Sequence, residues 1–179
     1  YNISPEKIIG MKSDGISVDR LLKKKTPLDY LKTEGATITP NGAMFKNDSQ
    51  GFLPKLMEKM YNDRVHFKQL EFQAKQEYQK TKDPLYQKEI ARCHNIQWAK
   101  KISLNSAYGA IGNQYFRFYD VHQATAITTA GQFIIQYIEQ QVNKYMNDIL
   151  QTKDKVDYIV ASDTDSIYLC LDKLVEKVC

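Results

Sequence analysis

The sequence predicts an α+β fold in which a long antiparallel helical hairpin is attached to part of an antiparallel sheet. Two helical stretches, from Pro54 to about Lys82 and from about Leu85 to Ala110, are separated by Asp83-Pro84, and a residue before proline is biased out of the α region. Apolar runs flank Asn41-Gly42 and the polar segment around Asp163, which favours a β-hairpin at each. Long helices joined by a tight turn pack antiparallel, so these patterns together predict the class.

Local signals predict where the helices begin and end. The first helix carries an approximate apolar stripe at Leu56, Met60, Phe67, Leu70 and Ala74. Glycine and asparagine favour helix ends, so Gly109 and Gly112-Asn113 are predicted to stop the second helix. The aromatic segment Gln114–Val121 is predicted to be a strand or an extended connector, and a third helix is predicted from about Thr128 to Leu150. Residues 1–36 are predicted to be irregular, with a weak helical pattern over 18–31 that is broken at Pro27.

Composition excludes several classes of protein. The 179 residues are 42% hydrophobic and 26% charged, with a net charge of +4, which is typical of a soluble globular chain. No apolar run approaches the ~20 residues of a membrane span. The three cysteines, Cys93, Cys170 and Cys179, lack metal-ligand spacing, and their odd number argues against a disulfide framework, so a reducing setting is expected. The chain lacks an initiator methionine and ends just after an apparent strand, so we expect it to be a fragment of a longer protein.

Two carboxylates one residue apart form the first candidate site. Asp163 and Asp165 lie between two predicted strands, Tyr158–Val160 and Ile167–Leu171. Alternate side chains of an extended segment share a face, so we expect both carboxylates to point the same way. Like charges this close repel, and Mg²⁺ relieves the repulsion because it prefers carboxylate and water oxygens. A solvated acidic turn is the alternative, since Asp and Ser favour turns.

Five polar side chains on the helical hairpin form the second candidate site. Lys101, Asn105 and Tyr108 stand at i, i+4 and i+7 and share one face of the second helix. Arg64 and Lys68 stand at i and i+4 on the first helix. Counting from the turn places Lys68 level with Lys101 and Arg64 about one turn further from the tip. Three cations at one level suit a triphosphate; solvated surface charges are the alternative, which the register and the shared face disfavour.

These residues match the motifs of a known family. Lys101-Ile-Ser-Leu-Asn-Ser-Ala-Tyr-Gly109 resembles the Lys-x-x-x-Asn-Ser-x-Tyr-Gly signature of family B DNA polymerases, called motif B. Asp163-Thr-Asp-Ser166 resembles the Asp-Thr-Asp-Ser of their motif C, and the order and separation of the motifs also fit. Tyr1–Glu6, Asn62–Arg64 and Phe116–Asp120 with the following residues are similar to the replicative polymerases of T-even-type bacteriophages. The resemblance therefore covers essentially the whole chain.

The resemblance implies nucleotide-binding roles for residues of the hairpin. Arg64, Lys68 and Lys101 would bind the triphosphate of an incoming nucleotide. Asn105 would help to place the nucleotide, and Tyr108 would pack against the nascent base pair on its minor-groove side.

The resemblance also implies the catalytic groups. Asp165 would bind two catalytic Mg²⁺ ions together with a carboxylate absent from this chain, and Asp163 would shape the same metal site less directly. Lys101 would act with them as the third catalytic group.

The same resemblance implies an organisation and a set of partners. Residues 1–51 would be an N-terminal connector to the palm with a β-hairpin, 52–112 the fingers, and 113–179 palm with the motif C hairpin. The parent protein would synthesise DNA on a primer–template from dNTPs in the cytoplasm of an infected bacterial host. A sliding clamp would bind through parts of the parent outside this chain, and no membrane would be involved.

Departures from the family pattern concern the primer end and the completeness of the site. Ala161-Ser162 stand where the family commonly has Tyr-Gly, which removes an aromatic ring near the primer end. Motif A, with the other metal-binding Asp and the residue that excludes ribonucleotides, is expected upstream of Tyr1. The exonuclease domain, the thumb and the lysine motif beyond motif C are absent as well. The fragment alone is therefore expected to be inactive.

Two other functions fit part of the sequence. A metal-dependent glycosyltransferase also places Asp-x-Asp after a strand, but the expected α/β alternation is missing and Lys101–Gly109 is left unexplained. A non-catalytic nucleic-acid-binding helical module would bind phosphates with a strong salt dependence, but it leaves the paired aspartates unexplained.

Overall fold

The fold is α+β, as predicted. The computed structural model describes residues 1–12, 14–152 and 155–178, so Cys179 lies outside the described residues. The elements in these ranges are β1 (Ile8–Met11), α1 (Val18–Leu22), α2 (Tyr30–Glu34), β2 (Ala36–Ile38), β3 (Ala43–Lys46), α3 (Phe52–Thr81), α4 (Pro84–Ile111), α5 (Val121–Leu150), β4 (Ile159–Asp163), β5 (Ser166–Leu169) and α6 (Asp172–Val178), with a 3-10 turn over Pro5–Lys7. The strands form a three-stranded sheet in the order β1–β3–β2 and a separate antiparallel pair, β4–β5.

Internal contacts divide the chain into two units. The first contains Tyr1–Ile9 and Phe45–Ala124, and the second contains Gly10–Met44 and Thr125–Cys179. The hairpin of α3 and α4 therefore belongs to the first unit, whereas β4–β5 and most of α5 belong to the second. No helix among the described residues combines the length and apolarity needed to cross a membrane.

The N-terminal segment holds the start of α3. Gly51 precedes this helix without a side-chain cap of its own. The helix receives its caps from elsewhere, because Glu6 Oε1 accepts from the Phe52 N–H at 2.7 Å and Ser4 Oγ accepts from the Leu53 N–H at 3.3 Å. A Cβ at position 51 would lie 2.5 Å from the Ser4 Cβ, so only glycine fits this approach. These bonds satisfy N–H groups that an uncapped helix leaves without partners.

The Asn41-Gly42 hairpin is present, with a different turn from the predicted one. Gly42 has φ +89°, and its N–H donates to the Thr39 carbonyl at 2.8 Å. The loop between β2 and β3 is therefore longer than a two-residue Asn-Gly turn. Gly42 also faces the backbone of Lys12, whose carbonyl oxygen would lie 2.1 Å from an added Cβ. Glycine is thus required both by conformation and by packing.

The third helix begins earlier than its apolar pattern predicts. It starts at Val121 rather than near Thr128, because Asp120 caps it: Asp120 Oδ1 accepts from the His122 N–H at 2.9 Å. The alternative of a strand over Gln114–Val121 is wrong, since this segment consists of turns up to Asp120. The segment does connect two helices, but through turns and not in the extended conformation that was predicted.

The N-terminal region is more regular than predicted. Residues 1–36 contain β1, α1 and α2, and Pro27 lies between the two helices, where the helical pattern is predicted to break. Strand β1 was missed because its neighbour in the sheet, β3, lies far along the chain. A small apolar core packs Leu31, Ala36 and Ile38 in the second unit.

Candidate functional site

The turn between α3 and α4 is tight and built from local signals. Lys82 adopts a left-handed conformation with φ +58°, and its N–H donates to the Tyr78 carbonyl at 2.9 Å. Asp83 then caps α4, because its Oδ1 accepts from the Leu85 N–H at 2.8 Å, and Pro84 occupies the first helical position. An αL end followed at once by an Asp cap reverses the chain within two residues. The predicted antiparallel helical hairpin is confirmed.

Contacts between the two helices define their register. Polar contacts join α3 and α4 at successive levels, among them Gln87 Nε2 to Tyr78 Oη at 2.6 Å, His94 Nδ1 to Glu71 Oε1 at 3.3 Å, and Lys100 Nζ to Asp63 Oδ2 at 2.8 Å. Continuing this register places Arg64 level with Lys101 and Lys68 one turn nearer the tip. The sequence count had placed Lys68 at the level of Lys101. The difference arises because α3 ends at Thr81, so the centre of the turn lies nearer the N-terminus than Asp83-Pro84.

The five predicted nucleotide-binding residues therefore lie on facing helices within a short length of the hairpin. Arg64 and Lys101 are half-buried, whereas Lys68, Asn105 and Tyr108 are exposed. The Nε of Arg64 is buried and has no hydrogen-bond partner among the described residues. A buried guanidinium N–H without a partner is costly, and an anion at this level would satisfy it. Asn105 and Tyr108 stand three residues apart on α4, a helical spacing that places them on one face.

The buried carboxylate of Glu71 connects the two helices at a position nearer the tip of the hairpin than Arg64 and Lys68. The side chain of Glu71 is 8% exposed, and its Oε1 lies 2.6 Å from Lys75 Nζ and 3.3 Å from His94 Nδ1. The hydrogen bond from Lys75, followed by that from His94, holds the pKa of Glu71 below its usual value. Similarly, the hydrogen bond from Lys100 lowers the pKa of Asp63. Both acids are thus kept ionised, and each compensates a basic partner on the hairpin.

The two candidate metal ligands lie at the tip of the β4–β5 hairpin. Asp163 is the last residue of β4 and pairs with Ser166 across the turn, whereas Asp165 belongs to the turn itself. Thr164 between them has φ +50°, so the chain is not extended there. The alternation of side chains in an extended strand therefore does not hold across this tip, and a common direction of the two carboxylates stays a prediction. Both carboxylates are nevertheless exposed at the same tip.

Two asparagines of α5 hold the chain that enters β4. Asn143 Oδ1 accepts from the Tyr158 N–H at 2.8 Å, and Asn147 Oδ1 accepts from the Val156 N–H at 2.9 Å. Asp157 accepts from the Ile159 N–H and from the Asn143 side chain, and these bonds, in that order, lower its pKa. Tyr158 is 3% exposed. The aspartate hairpin is therefore fixed at its base and exposed at its tip.

The chemistry of the tip suits a divalent cation, although the described residues supply only part of a ligand set. Carboxylate oxygens are the donors that Mg²⁺ prefers. Asp163 Oδ1 accepts a hydrogen bond from Thr164 Oγ1 at 2.9 Å, which helps to orient it. Within residues 1–12, 14–152 and 155–178, no group of three or more His, Cys, Asp or Glu side chains is arranged to hold a metal. A cation bound here needs further ligands from water, substrate or other residues.

Two features of the hairpin were missed by sequence reasoning. The first is the Glu71 network, which depends on the register and has no local signal. The second is the contact of Lys101 with Trp98, whose ring centroid lies 4.7 Å from the Lys101 Nζ. Its signal was present, because Trp98 precedes Lys101 by three residues and so lies on the same face.

Aromatic residues near the base of the hairpin have a structural explanation. Phe52 lies 5.5 Å from Phe118, and Phe118 lies 5.8 Å from Phe116, between ring centroids. These rings border an apolar groove of about 510 Å³ that also contacts Leu56 and Ile102. Phe116 and Phe118 of the Gln114–Val121 connector therefore pack at the hairpin base, whereas Tyr115 is 88% exposed.

Comparison with known proteins gives consistent matches along the chain. Residues 1–177 match the family model described as DNA polymerase family B. The DNA-directed DNA polymerase of Enterobacteria phage T4 is 30% identical over 218 aligned residues, covering 99% of this chain and 24% of the relative. That of Escherichia phage RB69 is 29% identical over 225 residues, with 99% and 24% covered. The DNA polymerase beta of an African swine fever virus isolate is 28% identical over 192 residues, with 99% and 15% covered.

These matches show how much of each relative's length the chain covers. The chain spans about a quarter of the length of the two phage polymerases that it matches. The matches favour neither a glycosyltransferase nor a non-catalytic helical module.

Proposed function

The chain belongs to DNA polymerase family B, and from this premise we propose that it supplies the fingers and part of the palm of a template-directed DNA polymerase. In this proposal residues 52–112 form the fingers, residues 113–179 form palm that includes the aspartate hairpin, and residues 1–51 form the N-terminal connector to the palm. The helical hairpin α3–α4 accounts for nearly all of the proposed fingers.

One observation carries the proposal: the facing helices bring cations from both sides to the level of motif B. Arg64 is level with Lys101, and Lys68 lies one turn nearer the tip, as the contacts between α3 and α4 indicate. The buried, unpartnered Nε of Arg64 supports an anionic ligand at this level. An arginine fork and two movable ammonium groups match the charge and shape of a triphosphate.

The proposed reaction joins a nucleotide to a primer. The primer 3′-hydroxyl attacks the α-phosphorus of a dNTP, and pyrophosphate leaves. Arg64, Lys68 and Lys101 offset the negative charge that develops on the leaving phosphates. Asn105 and Tyr108, which follow Lys101 on the same face of α4, place the nucleotide and contact the nascent base pair. A site completed only around a fitting base pair gives selectivity.

The aspartate hairpin is proposed as part of the metal site. Asp165 would hold two Mg²⁺ ions directly, and Asp163 would shape the same site. When bound, the metal supplies Lewis-acid stabilisation of the attacking and leaving oxygens. The remaining protein carboxylate is proposed to lie outside this chain, in accord with the two carboxylates present at the tip and with the quarter of the phage relatives that the chain spans.

The proposed partners follow from the family and its phage members. They are primer–template DNA, dNTPs and, through other parts of the whole polymerase, a sliding clamp. Since two of the relatives are phage polymerases, we place the activity in the cytoplasm of an infected bacterial host.

Template-directed primer extension by the complete polymerase that carries this chain tests the proposal. A labelled primer is offered each dNTP singly on templates that differ only in the next base, with Mg²⁺ present. We expect extension only by the complementary dNTP. Binding of DNA without extension, or extension that ignores the template base, would contradict the proposed function.

The chain of residues 1–179 provides a second, separate test. Because one carboxylate of the metal site is proposed to lie elsewhere, we expect no extension from the isolated chain under the same conditions. Extension by this chain would refute the partial metal site while leaving the polymerase assignment intact.

A further inference from the structure

The nucleotide-binding face of α4 continues beyond Lys101 through two aromatic rings. His94, Trp98, Lys101, Asn105 and Tyr108 follow one another at alternating steps of four and three residues, which keeps them on a single stripe of the helix. The rings of His94 and Trp98 stack, with centroids 6.3 Å apart and planes 12° from parallel. The Lys101 Nζ lies 4.7 Å from the centroid of Trp98. Three successive members of the stripe are therefore in contact.

The contact between Trp98 and Lys101 has the geometry of a cation–π interaction. An ammonium within about 6 Å of an indole centroid is attracted to the negative face of the ring, and indole is the most favourable aromatic for this purpose. Lysine carries its charge on a flexible four-carbon chain that populates many rotamers when unrestrained. A ring that restrains this chain before the ligand arrives reduces the entropy lost on binding.

The ring of Trp98 is itself held in place from the facing helix. His94, which stacks on it, approaches Glu71 with Nδ1 3.3 Å from the carboxylate. Glu71 is 6% exposed and is fixed further by Lys75. A series of contacts thus runs from a buried acid of α3, through two stacked rings, to the ammonium of Lys101.

We propose that Trp98 is a positioning residue for nucleotide binding, which restrains Lys101 so that its ammonium is already on the nucleotide-binding face when a dNTP arrives. This inference rests on the proposed function, because it assigns to Lys101 a triphosphate ligand. Trp98 does not touch the substrate in this proposal. It acts through Lys101, and its removal changes how readily the dNTP binds rather than the chemical step.

Single-nucleotide incorporation by the complete polymerase tests the inference with four variants. Trp98→Leu removes the π face and keeps an apolar helix-forming side chain, whereas Trp98→Phe keeps an aromatic face. Both are compared with the unsubstituted enzyme. Trp98→Leu is also combined with Lys101→Ala, and this double variant is compared with Lys101→Ala alone. A cation–π contact at an exposed site predicts that Trp98→Leu raises the KM for dNTP about threefold, with kcat little changed. Trp98→Phe is expected to restore most of the loss.

The double variant separates positioning from a general structural effect. If Trp98 acts through Lys101, Trp98→Leu has no further effect on the KM for dNTP once Lys101 is Ala. An unchanged KM in Trp98→Leu, an equal rise in both backgrounds, or a fall in kcat with no rise in KM would overturn the inference. Since Trp98 is 49% exposed, its replacement is expected to leave the helix folded. Should Trp98→Leu fail to fold, Trp98→Gln serves in the same comparison.

The outcome for Lys101→Ala alone distinguishes a failure of the proposed triphosphate role of Lys101 from a failure of the positioning role of Trp98. If this substitution leaves the KM for dNTP unchanged, the triphosphate role of Lys101 in the proposed function is wrong, and the positioning role falls with it. If it raises KM while Trp98→Leu acts independently of it, only the positioning role is wrong.

Discussion

The helical hairpin and the aspartate hairpin differ in how far their candidate residues are buried and in which residues they contact. On α3 and α4 the candidate cations Arg64 and Lys101 are half-buried, and polar contacts such as Lys100 to Asp63 join the two helices. On β4–β5 the two aspartates are exposed, and the contacts of Asp163 are to its neighbours Thr164 and Ser166. The first site lies on helices joined by contacts across the hairpin, whereas the hydrogen bonds that tie the second to α5 lie at its base, at Asn143 and Asn147.

This difference indicates which part of each site is self-sufficient. The helical hairpin already has its register, set by contacts such as Lys100 to Asp63, and one of its candidate lysines, Lys101, contacts the ring of Trp98. The aspartate tip has two carboxylates on a two-stranded sheet whose apolar side chains are largely exposed, with Val160 at 72% and Tyr168 at 60%. Isolated two-stranded hairpins are marginally stable in water. We infer that the nucleotide-binding part is nearly complete in this chain and that the metal-binding part depends on additional structure.

The largest expected effect comes from the aspartate tip. In the complete polymerase, Asp165→Asn is expected to lower the rate of primer extension at least about 100-fold, the scale for losing a preorganised electrostatic group. Primer–template binding, measured by fluorescence anisotropy, is expected to remain within a factor of about two, because the substitution leaves the basic surfaces intact. The matched control is Asp172→Asn, an exposed acid in the first turn of α6, which is expected to extend normally. Equal loss of binding and extension in Asp165→Asn would count against the metal assignment.

A smaller effect is expected from the contacts of Glu71 with Lys75 and with His94, of which the second joins α3 to α4. Glu71→Ala removes a buried acceptor of charged hydrogen bonds and is expected to destabilise the α3–α4 hairpin by about 2 kcal/mol. Hydrogen exchange of α3 and α4 amides measures this local opening. The control, Glu77→Ala, removes an exposed pair with Lys80 and is expected to change stability by less than about 0.5 kcal/mol. Equal effects from both substitutions would show that the buried network has no special role.

The smallest expected effect is a dependence of hairpin stability on acid. The hydrogen bond from Arg92, followed by that from Cys93, lowers the pKa of Glu89 from 4.5 to about 2, and the pKa of Glu71 is also lowered. Because these values are depressed in the folded state, the stabilisation is present above pH 4.5 and is lost as the pH falls toward 2. Thermal unfolding followed by circular dichroism is expected to show a falling midpoint across this window. Glu89→Gln is expected to reduce the slope, and an unchanged slope would contradict the assignment.

Features set by neighbouring residues were predictable from sequence. The reversal at Asp83-Pro84 needs only a capping aspartate and a proline, and both helices around it were predicted to within a few residues. The aspartate hairpin was likewise predicted from a short motif. Its detailed geometry was not, because the left-handed conformation of Thr164 is unusual for a β-branched residue.

Features set by distant residues were not predictable in the same way. The register of Arg64 against Lys101 depends on where α3 ends, and a shift of only two residues in the centre of the hairpin brings Lys68 instead of Arg64 to the level of Lys101. The burial of Glu71 against His94 requires both helices at once. The start of α5 at Val121 had a local signal in the capping residue Asp120, but the aromatic residues before it favoured a strand or an extended connector up to Val121.

The most direct test of the central claim compares two adjacent lysines of α4. Lys100 pairs with Asp63 at 2.8 Å, whereas Lys101 lies on the stripe with Asn105 and Tyr108 and is proposed to bind the triphosphate. The KM for dNTP in single-nucleotide incorporation is measured for Lys101→Ala and Lys100→Ala in the complete polymerase. Loss of a charged hydrogen bond predicts a rise of about tenfold for Lys101→Ala, with Lys100→Ala within a factor of about two of the unsubstituted enzyme. An unchanged KM for Lys101→Ala, or an equal rise for both, would contradict the assignment of this hairpin as the nucleotide-binding fingers.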